Sequence, residues 1–248
     1  MNLAIVGFGQ MGQMIKEIAE ERGHEVISVI DPSNPQATHK EFSEESMSGV
    51  DACICFTQPD AAMGNIQDAC RYKRPLVLGT TGWTDHMEEV RQLVKEAGTG
   101  MVYSSNFSIG VNIFFKLIEQ ASQVIDGFEM YDILAHEAHH RKKIDSPSGT
   151  AKTMAQILLD NIERKTKVYE DKMDRRIEDD ELHFSSVRGG SIPGTHSVYF
   201  DSDFDTIELT HTARNRRGFA TGAVIAAEWI VKQKGLFTER DMMNQILP

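Results

Sequence analysis

The run Leu3-Ala4-Ile5-Val6-Gly7-Phe8-Gly9-Gln10-Met11-Gly12 decides the fold. Four apolar residues make a short strand, the glycines make a G-x-G-x-x-G turn, and Met11, Met14, Ile15, Ile18 and Ala19 then share one helical face until Gly23 stops it. Val26 to Ile30 is a second apolar strand, and it ends on Asp31. Strand, glycine turn, helix, strand and terminal acid, in that order, form a dinucleotide-binding unit in which every part has a task. Gly7 permits the tight turn, Gly9 lets backbone amides reach a pyrophosphate, Gly12 allows close helix-to-strand packing, and Asp31 accepts from the adenosine ribose. Gly7, Phe8, Gly9, Gln10, Met11, Gly12 and Asp31 are therefore candidate cofactor residues. A carboxylate at position 31 repels a 2′-phosphate and so favours NADH. His39 or Lys40 folding back would readmit NADPH, and both cofactors stay in view.

The same rhythm continues down the chain. Asp51 to Phe56 reads as a third strand, Asp60 to Tyr72 as a helix, and Pro75 to Leu78 as a fourth strand entering the turn Gly79-Thr80-Thr81-Gly82. A helix over Thr84 to Ala97 leads to a fifth strand near Met101 to Tyr103 and the polar loop Ser104-Ser105-Asn106-Phe107. Strands alternating with helices imply an α/β fold with a parallel Rossmann-type sheet, whose strand-end loops lie along the dinucleotide. Val111 to Ser122 has helical spacing and reads as core. Leu182 to Val187, His196 to Phe200 and Thr206 to His211 read as strands that, with Tyr131 to His136, build a smaller α+β unit around a mixed sheet. Asn161 to Glu181 is dominated by charge and reads as a solvated connection.

Composition narrows the function classes. The chain has 248 residues, 40% hydrophobic and 25% charged, which suits a globular protein of one large or two modest domains. A formal charge of -11 argues against nucleic-acid or anionic-membrane partners, and no apolar run approaches a membrane span or a signal peptide, so a cytoplasmic location is expected. Three cysteines make no disulfide framework.

Against that acidic background stands Glu137-Ala138-His139-His140-Arg141-Lys142-Lys143-Ile144-Asp145-Ser146-Pro147-Ser148-Gly149-Thr150-Ala151. Two imidazoles and three cations gather where a strand-like run, Tyr131 to Ala135, gives out. Pro147 bars a helix from running through, Ser148 is placed to cap one beginning at Gly149 and Thr150, and free amides at that helix start suit an anion. A small ligand with more than one carboxylate fits such a loop. His136-Glu137-Ala138-His139-His140 also satisfies H-E-x-x-H, the zinc-hydrolase pattern, which needs a helix carrying both outer histidines one turn apart. The upstream strand, the downstream cations and Pro147 speak against that helix, so no metal is expected. Arg188-Gly189-Gly190 and His196 could also bring charge toward a carboxylate, although a hairpin with a surface histidine explains each by itself.

The stretch resembles the signature of the dihydrodipicolinate reductases, Glu-x-His-x-x-x-Lys-x-Asp-x-Pro-Ser-Gly-Thr-Ala, here Glu137, His139, Lys143, Asp145, Pro147, Ser148, Gly149, Thr150 and Ala151. The family usually has Glu and a β-branched residue where this chain has Leu134 and Ala135, a departure that touches the strand rather than the reacting groups. The resemblance implies NAD(P)H-dependent reduction of a cyclic imine dicarboxylate to tetrahydrodipicolinate in lysine and diaminopimelate biosynthesis. His139 would be proton donor or acceptor and Lys143 a second donor, with His140, Gly149 and Thr150 holding substrate carboxylates. It implies that Gly79, Thr80 and Thr81 line the nicotinamide side of the cofactor, together with Ser104, Ser105, Asn106 and Phe107 at the crossover between domains. The tail, with His211, Ala213, Arg216, Phe219, Ala220, Gly222 and Ala223, is similar to the family's return segment. That implies a discontinuous dinucleotide-binding domain, 1–106 with 213–248, around a substrate-binding and oligomerisation domain, 107–212, and a homotetramer. Another nicotinamide-dependent enzyme such as an amino-acid dehydrogenase would keep the N-terminal half but lack the His-His to Pro-Ser-Gly-Thr-Ala run. An NADH-sensing module would leave the cationic loop without a task.

Overall fold

In the computed structural model, which describes residues 1–246, the first strand is paired on both sides in a six-stranded sheet. That strand, β1 (Asn2–Val6), lies between β2 (Glu25–Ile30) and β3 (Ala52–Cys55), and β4 (Leu76–Leu78), β5 (Gly100–Tyr103) and β11 (Gly235–Thr238) extend the sheet in the order β11-β5-β4-β3-β1-β2. All of its pairings are parallel. With both faces covered, the strands read as continuous apolar runs, and period-2 alternation decides which side each residue fills. Leu3, Ile5, Ile54, Val77 and Val102 meet Ile15 and Ala19 of α1 (Gln10–Glu21) and Ala223 and Ala227 of α6 (Arg217–Ile230). Ala4, Val6, Cys53, Cys55, Leu76 and Leu78 meet Ile66 of α2 (Ala62–Arg71) and Val90 and Val94 of α3 (Met87–Ala97). The two helices expected over 60–72 and 84–97 open as short 3-10 turns, Pro59–Ala61 and Thr84–His86. No helix among the described residues is long and apolar enough to cross a membrane.

The chain divides into two compact units, Met1–Ile109 with Arg217–Pro248, and Gly110–Arg216. Both changeovers fall a few residues after the expected points at 106/107 and 212/213, and at the first of them Phe107 is a buried member of the first unit's core.

The second unit contains a five-stranded mixed sheet, ordered β10-β9-β6-β8-β7. Its strands are β6 (Asp132–His139), β7 (Lys167–Tyr169), β8 (Glu181–Arg188), β9 (Thr195–Asp201) and β10 (Thr206–Thr212). One face is packed against α4 (Ile109–Asp126) and α5 (Gly149–Asn161) through Phe114, Ile118, Ile133, Ala135, Met154, Leu158, Phe184, Val198 and Phe200. Two expectations fail here. The charged stretch 161–181 is not all connection, since Lys167–Tyr169 forms β7 beside β8 with only half-buried side chains, which is why its apolar signal is faint. And β6 does not give out at 135 or 136 but runs through His139, so Glu137 and His139 stand within the strand. The last element, α7 (Glu239–Ile246), follows β11.

Candidate active site

In the first unit, the loops after β1, β2, β3, β4 and β5 all emerge at the carboxyl ends of parallel strands. The sheet order reverses at the β1–β3 boundary, where α/β sheets open a crevice for a ligand. Gly7 has φ +89°, and a Cβ there would lie 2.2 Å from the Phe56 carbonyl oxygen, so only glycine closes this turn. A Cβ on Gly12 would lie 2.1 Å from the Gly7 oxygen, the close packing expected of the third glycine. A Cβ on Gly9, by contrast, meets nothing within 4 Å. Gly9 is also the N-cap of α1 and has no side chain to cap it, which leaves room and amide donors suited to a pyrophosphate. The residues present fit a dinucleotide.

Asp31 acts differently from a plain ribose acceptor. Its Oδ2 accepts the Phe8 amide at 2.8 Å, and its Oδ1 accepts the Ser33 and Asn34 amides, both at 2.9 Å. Burial pushes its carboxyl up, but those backbone donors win and hold it at about 2. Asp31 therefore shapes the glycine turn while keeping its charge. Lys40 Nζ reaches the Asn34 carbonyl at 3.0 Å and approaches that of Asp31 at 3.5 Å.

Thr80 is buried and accepts the Thr57 amide at 2.9 Å, while Trp83 Nε1–H donates to its carbonyl at 3.1 Å. Thr81 and Ser105 are exposed, and the Ser104 hydroxyl accepts the Asn106 amide at 2.8 Å. Phe8 and Phe107 belong to the core, 7% and 2% exposed, so only their backbones are available to a cofactor. Thr57, joined to Thr80, is a residue of the same strand-end loops that carried no sequence signal beyond its place after a strand.

The second unit holds a buried cluster of acid, imidazole and guanidinium groups. Alternation along β6 turns Ile133, Ala135, Glu137 and His139 to the buried face, so the apolar stripe ends in a carboxylate and an imidazole. A buried carboxylate needs partners, and Glu137, fully buried, has five. Its Oε1 accepts from the Ser148 amide at 2.9 Å, the Ser186 hydroxyl at 2.9 Å and Arg188 Nη2 at 2.7 Å. Its Oε2 lies 3.0 Å from His139 Nδ1 and 3.5 Å from His196 Nε2. The His139 ring is turned off the N···O line, so that contact is electrostatic rather than a completed hydrogen bond. Burial pushes the Glu137 carboxyl up, yet donation from His196, Ser148 and Arg188 outweighs it and holds the group well below the usual carboxylate range.

His139 is 7% exposed and packs edge-on against His196 at 5.0 Å between ring centroids. Burial pulls it down to about 4, with His196, Lys143 and Arg188 acting the same way against the opposing pull of Glu137. Burial thus favours the neutral imidazole until an anion binds beside it. Lys143 Nζ pairs with Asp145 at 2.8 Å, and Arg188 also donates to the Asp145 carbonyl. Ser148 caps α5 as expected, its hydroxyl accepting the Ala151 amide at 3.1 Å and lying 3.3 Å from His196 Nε2. Gly149 is exposed at that helix start, Thr150 is half-buried, and His140 has a buried Nδ1 with no hydrogen-bond partner.

The geometry removes the H-E-x-x-H reading, because residues 136–139 are strand and not the helix that would set His136 and His140 one turn apart. Glu137, His139 and His196 do bring one donor atom each within 4.8 Å of one another. Arg188 already sits against that carboxylate as its counter-ion, and Lys143 adds a second positive charge. Arg188 and His196 have moved from flagged residues to members of the cluster. Glu137 and Ser186 were missed as functional groups, although continuing the two-residue period past Ala135 points Glu137 inward.

A parallel dinucleotide-binding sheet joined to a mixed-sheet unit with a buried acid–base cluster defines a two-unit nicotinamide-dependent oxidoreductase. Family models extend that assignment: residues 1–107 match the dihydrodipicolinate reductase N-terminus and residues 110–243 its C-terminus. The chain belongs to the dihydrodipicolinate reductase family. It is 39% identical over 246 residues to the 4-hydroxy-tetrahydrodipicolinate reductase of Christiangramia forsetii, covering 99% of both chains. It is 42% identical over 197 residues to that of Methanoregula boonei, covering 78% of this chain and 75% of the other. Among solved structures, a dipicolinate-bound dihydrodipicolinate reductase from Paenisporosarcina sp. TG-14 superposes with a TM-score of 0.79 at 22% identity, covering 100% of this chain and 99% of that one.

Proposed function

We propose that this protein reduces 4-hydroxy-tetrahydrodipicolinate, or the cyclic imine left when it loses water, to tetrahydrodipicolinate with NADH or NADPH, in the cytoplasm. The observation that carries this is a buried carboxylate, Glu137, that meets both His139 and the amide-bearing start of α5, with Lys143 in the loop between them, in a chain whose family match spans both units. A reduced nicotinamide supplies the hydride. Gly7 to Gly12 and the amides of α1 hold the pyrophosphate, and Thr80, Thr81 and Ser104 to Phe107 line the nicotinamide side. His140 and the amides of Gly149 and Thr150 orient the substrate carboxylates. As electron density moves onto the ring nitrogen and the neighbouring carbon, His139 and Lys143 deliver the proton.

The charge retained at Asp31 favours NADH, and Lys40, held over the same turn, is the residue that would accept a 2′-phosphate. A homotetramer is supported by the outer face of the second unit's sheet. Leu134 and Val187 are 41% and 54% exposed there, and Tyr199 stacks on His136, more apolar surface than a solvated sheet face usually shows. The test is oxidation of NADH followed at its absorbance band with freshly generated product of the aldol-condensing synthase. Turnover dependent on that product supports the reading, and its absence with fresh substrate and either cofactor refutes it.

A further inference from the structure

Glu137 is the most heavily partnered side chain of the candidate site, and none of the proposed steps uses it. We infer that Glu137 is the positioning residue of the reaction: its Oε2 keeps the proton of His139 on Nδ1, so that Nε2 is the nitrogen that takes up a proton and hands it to substrate. The inference rests on the proposed function and deepens it.

Three observations carry it. An ionised carboxylate oxygen 3.0 Å from Nδ1 favours a proton over a lone pair on that nitrogen, and rotation of the ring toward the N···O line turns the contact into a hydrogen bond. Oε1 is pinned by Ser148, Ser186 and Arg188, donors from the turn before α5 and from β8, so the carboxylate cannot rotate away. On the other side of the ring Nε2 lies against a glycine: Gly194 has φ +153°, and a Cβ there would lie 2.9 Å from Nε2, so any larger residue would crowd that nitrogen. One nitrogen thus faces the pinned carboxylate, and the other borders a position that carries no side chain. The charged and titratable groups acting on the ring are Glu137 on its own strand, His196 on β9, Arg188 on β8 and Lys143 in the following loop. When a dianion binds, Nε2 gains a proton from water and becomes part of an imidazolium paired with Glu137. Proton transfer to the reduced ring then returns it to the neutral Nδ1–H form. The two electrons travel only with the hydride, and the nicotinamide is what is oxidised.

The test is Glu137→Gln. Three donors still claim the Oε1 position, so the amide oxygen settles there and its NH₂ faces His139 Nδ1. Nδ1 must then accept, and the ring proton moves to Nε2. We expect turnover to fall by roughly 100-fold or more, the scale of losing positioned acid–base catalysis, with KM for substrate and for NADH changed less than about threefold. Long-range ¹H–¹⁵N spectra of histidine-labelled full-length protein, with the His139 signals identified by their loss in His139→Gln, should show Nδ1–H in the wild type and Nε2–H in Glu137→Gln. A wild-type His139 in the Nε2–H form overturns the inference whether or not the variant folds. So does a folded Glu137→Gln with full turnover, or one mole of tightly held zinc per chain in the purified protein with His139 as ligand. Failure of the wild type to turn over would instead sink the proposed function, while the tautomer would still report on the pairing.

Discussion

Replacing Arg188 with Met should expose how much the buried cluster depends on one counter-ion. Arg188 Nη2 sits 2.7 Å from Glu137 Oε1, with the carboxylate fully buried and the arginine side chain 18% exposed. Removing one partner of a buried ion pair costs about 3–5 kcal/mol, because the remaining charge keeps its desolvation penalty and loses its compensation. Two donors to Oε1 survive, the Ser148 amide and the Ser186 hydroxyl, and the arginine is not sealed from water. The expected loss at pH 7 is therefore ~2–3 kcal/mol, just under that range. Its pH dependence has a definite sign. The Glu137 carboxyl titrates below its ordinary value of 4.5, so its ionised form stabilises the fold above that value, and the contribution is lost as pH falls toward the lowered folded-state value. Without Arg188 the folded-state value rises, and the deficit against wild type narrows once the pH passes below the ordinary carboxyl range. Both tryptophans, Trp83 and Trp229, lie in the first unit, so their fluorescence reports that unit and far-UV circular dichroism must follow the second. In urea the dichroism midpoint should drop by roughly 1–2 M, with the fluorescence transition nearly unmoved. A midpoint unchanged at pH 7, or a deficit that widens on acidification, refutes the reasoning.

Other perturbations separate the two units. His139→Ala and Lys143→Ala should each cut turnover by roughly 100-fold or more while the NADH dissociation constant, measured by fluorescence titration, stays within about twofold. Gly12→Ala should unfold or strongly destabilise the first unit, since its Cβ would lie 2.1 Å from the Gly7 oxygen, whereas Gly9→Ala should keep the melting temperature and raise KM for NADH. Equal melting temperatures for the two variants would contradict the packing account. Lys40→Ala should lower kcat/KM for NADPH about tenfold, the scale of one phosphate contact of ~1.4 kcal/mol, and leave NADH use unchanged. An equal loss with both cofactors would mean that Lys40 serves only the turn it covers.

The dinucleotide unit was legible because its determinants are local. The glycine turn, its flanking apolar runs and Asp31 sit within the first 31 residues, and each carries its geometry in its own chemistry. Even there, a loop pattern does not reveal that the rings of Phe8 and Phe107 turn inward to complete a core and leave their backbones to face the loops. Position 31 shows the same limit. A terminal acid signals a ribose partner, but the residues that claim it first, Ser33 and Asn34, belong to a turn whose shape no motif records.

The second unit was harder to read for a physical reason. Polar residues such as Glu137 and His139 look like the end of a strand, because an isolated carboxylate in a buried stripe is prohibitively costly. It becomes affordable only when β8 and β9, whose contributing residues follow 49 to 59 positions later, bring Ser186, Arg188 and His196 against it. The signature's clustering in sequence thus tells only half of its logic. Lys143, Ser148 and Gly149 arrive with the loop, but the frame that fixes them is assembled from strands that pair across long separations. The same carboxylate receives the Ser148 amide at the start of α5 and faces the His139 ring, so any shift in the sheet register would displace the proposed anion-binding amides and the proposed proton-handling nitrogen together. Coupling both through one buried anion explains why this carboxylate is held so tightly. It also makes the spacing between Glu137 and Ser148, more than the basic residues between them, the part of the loop least able to tolerate an insertion.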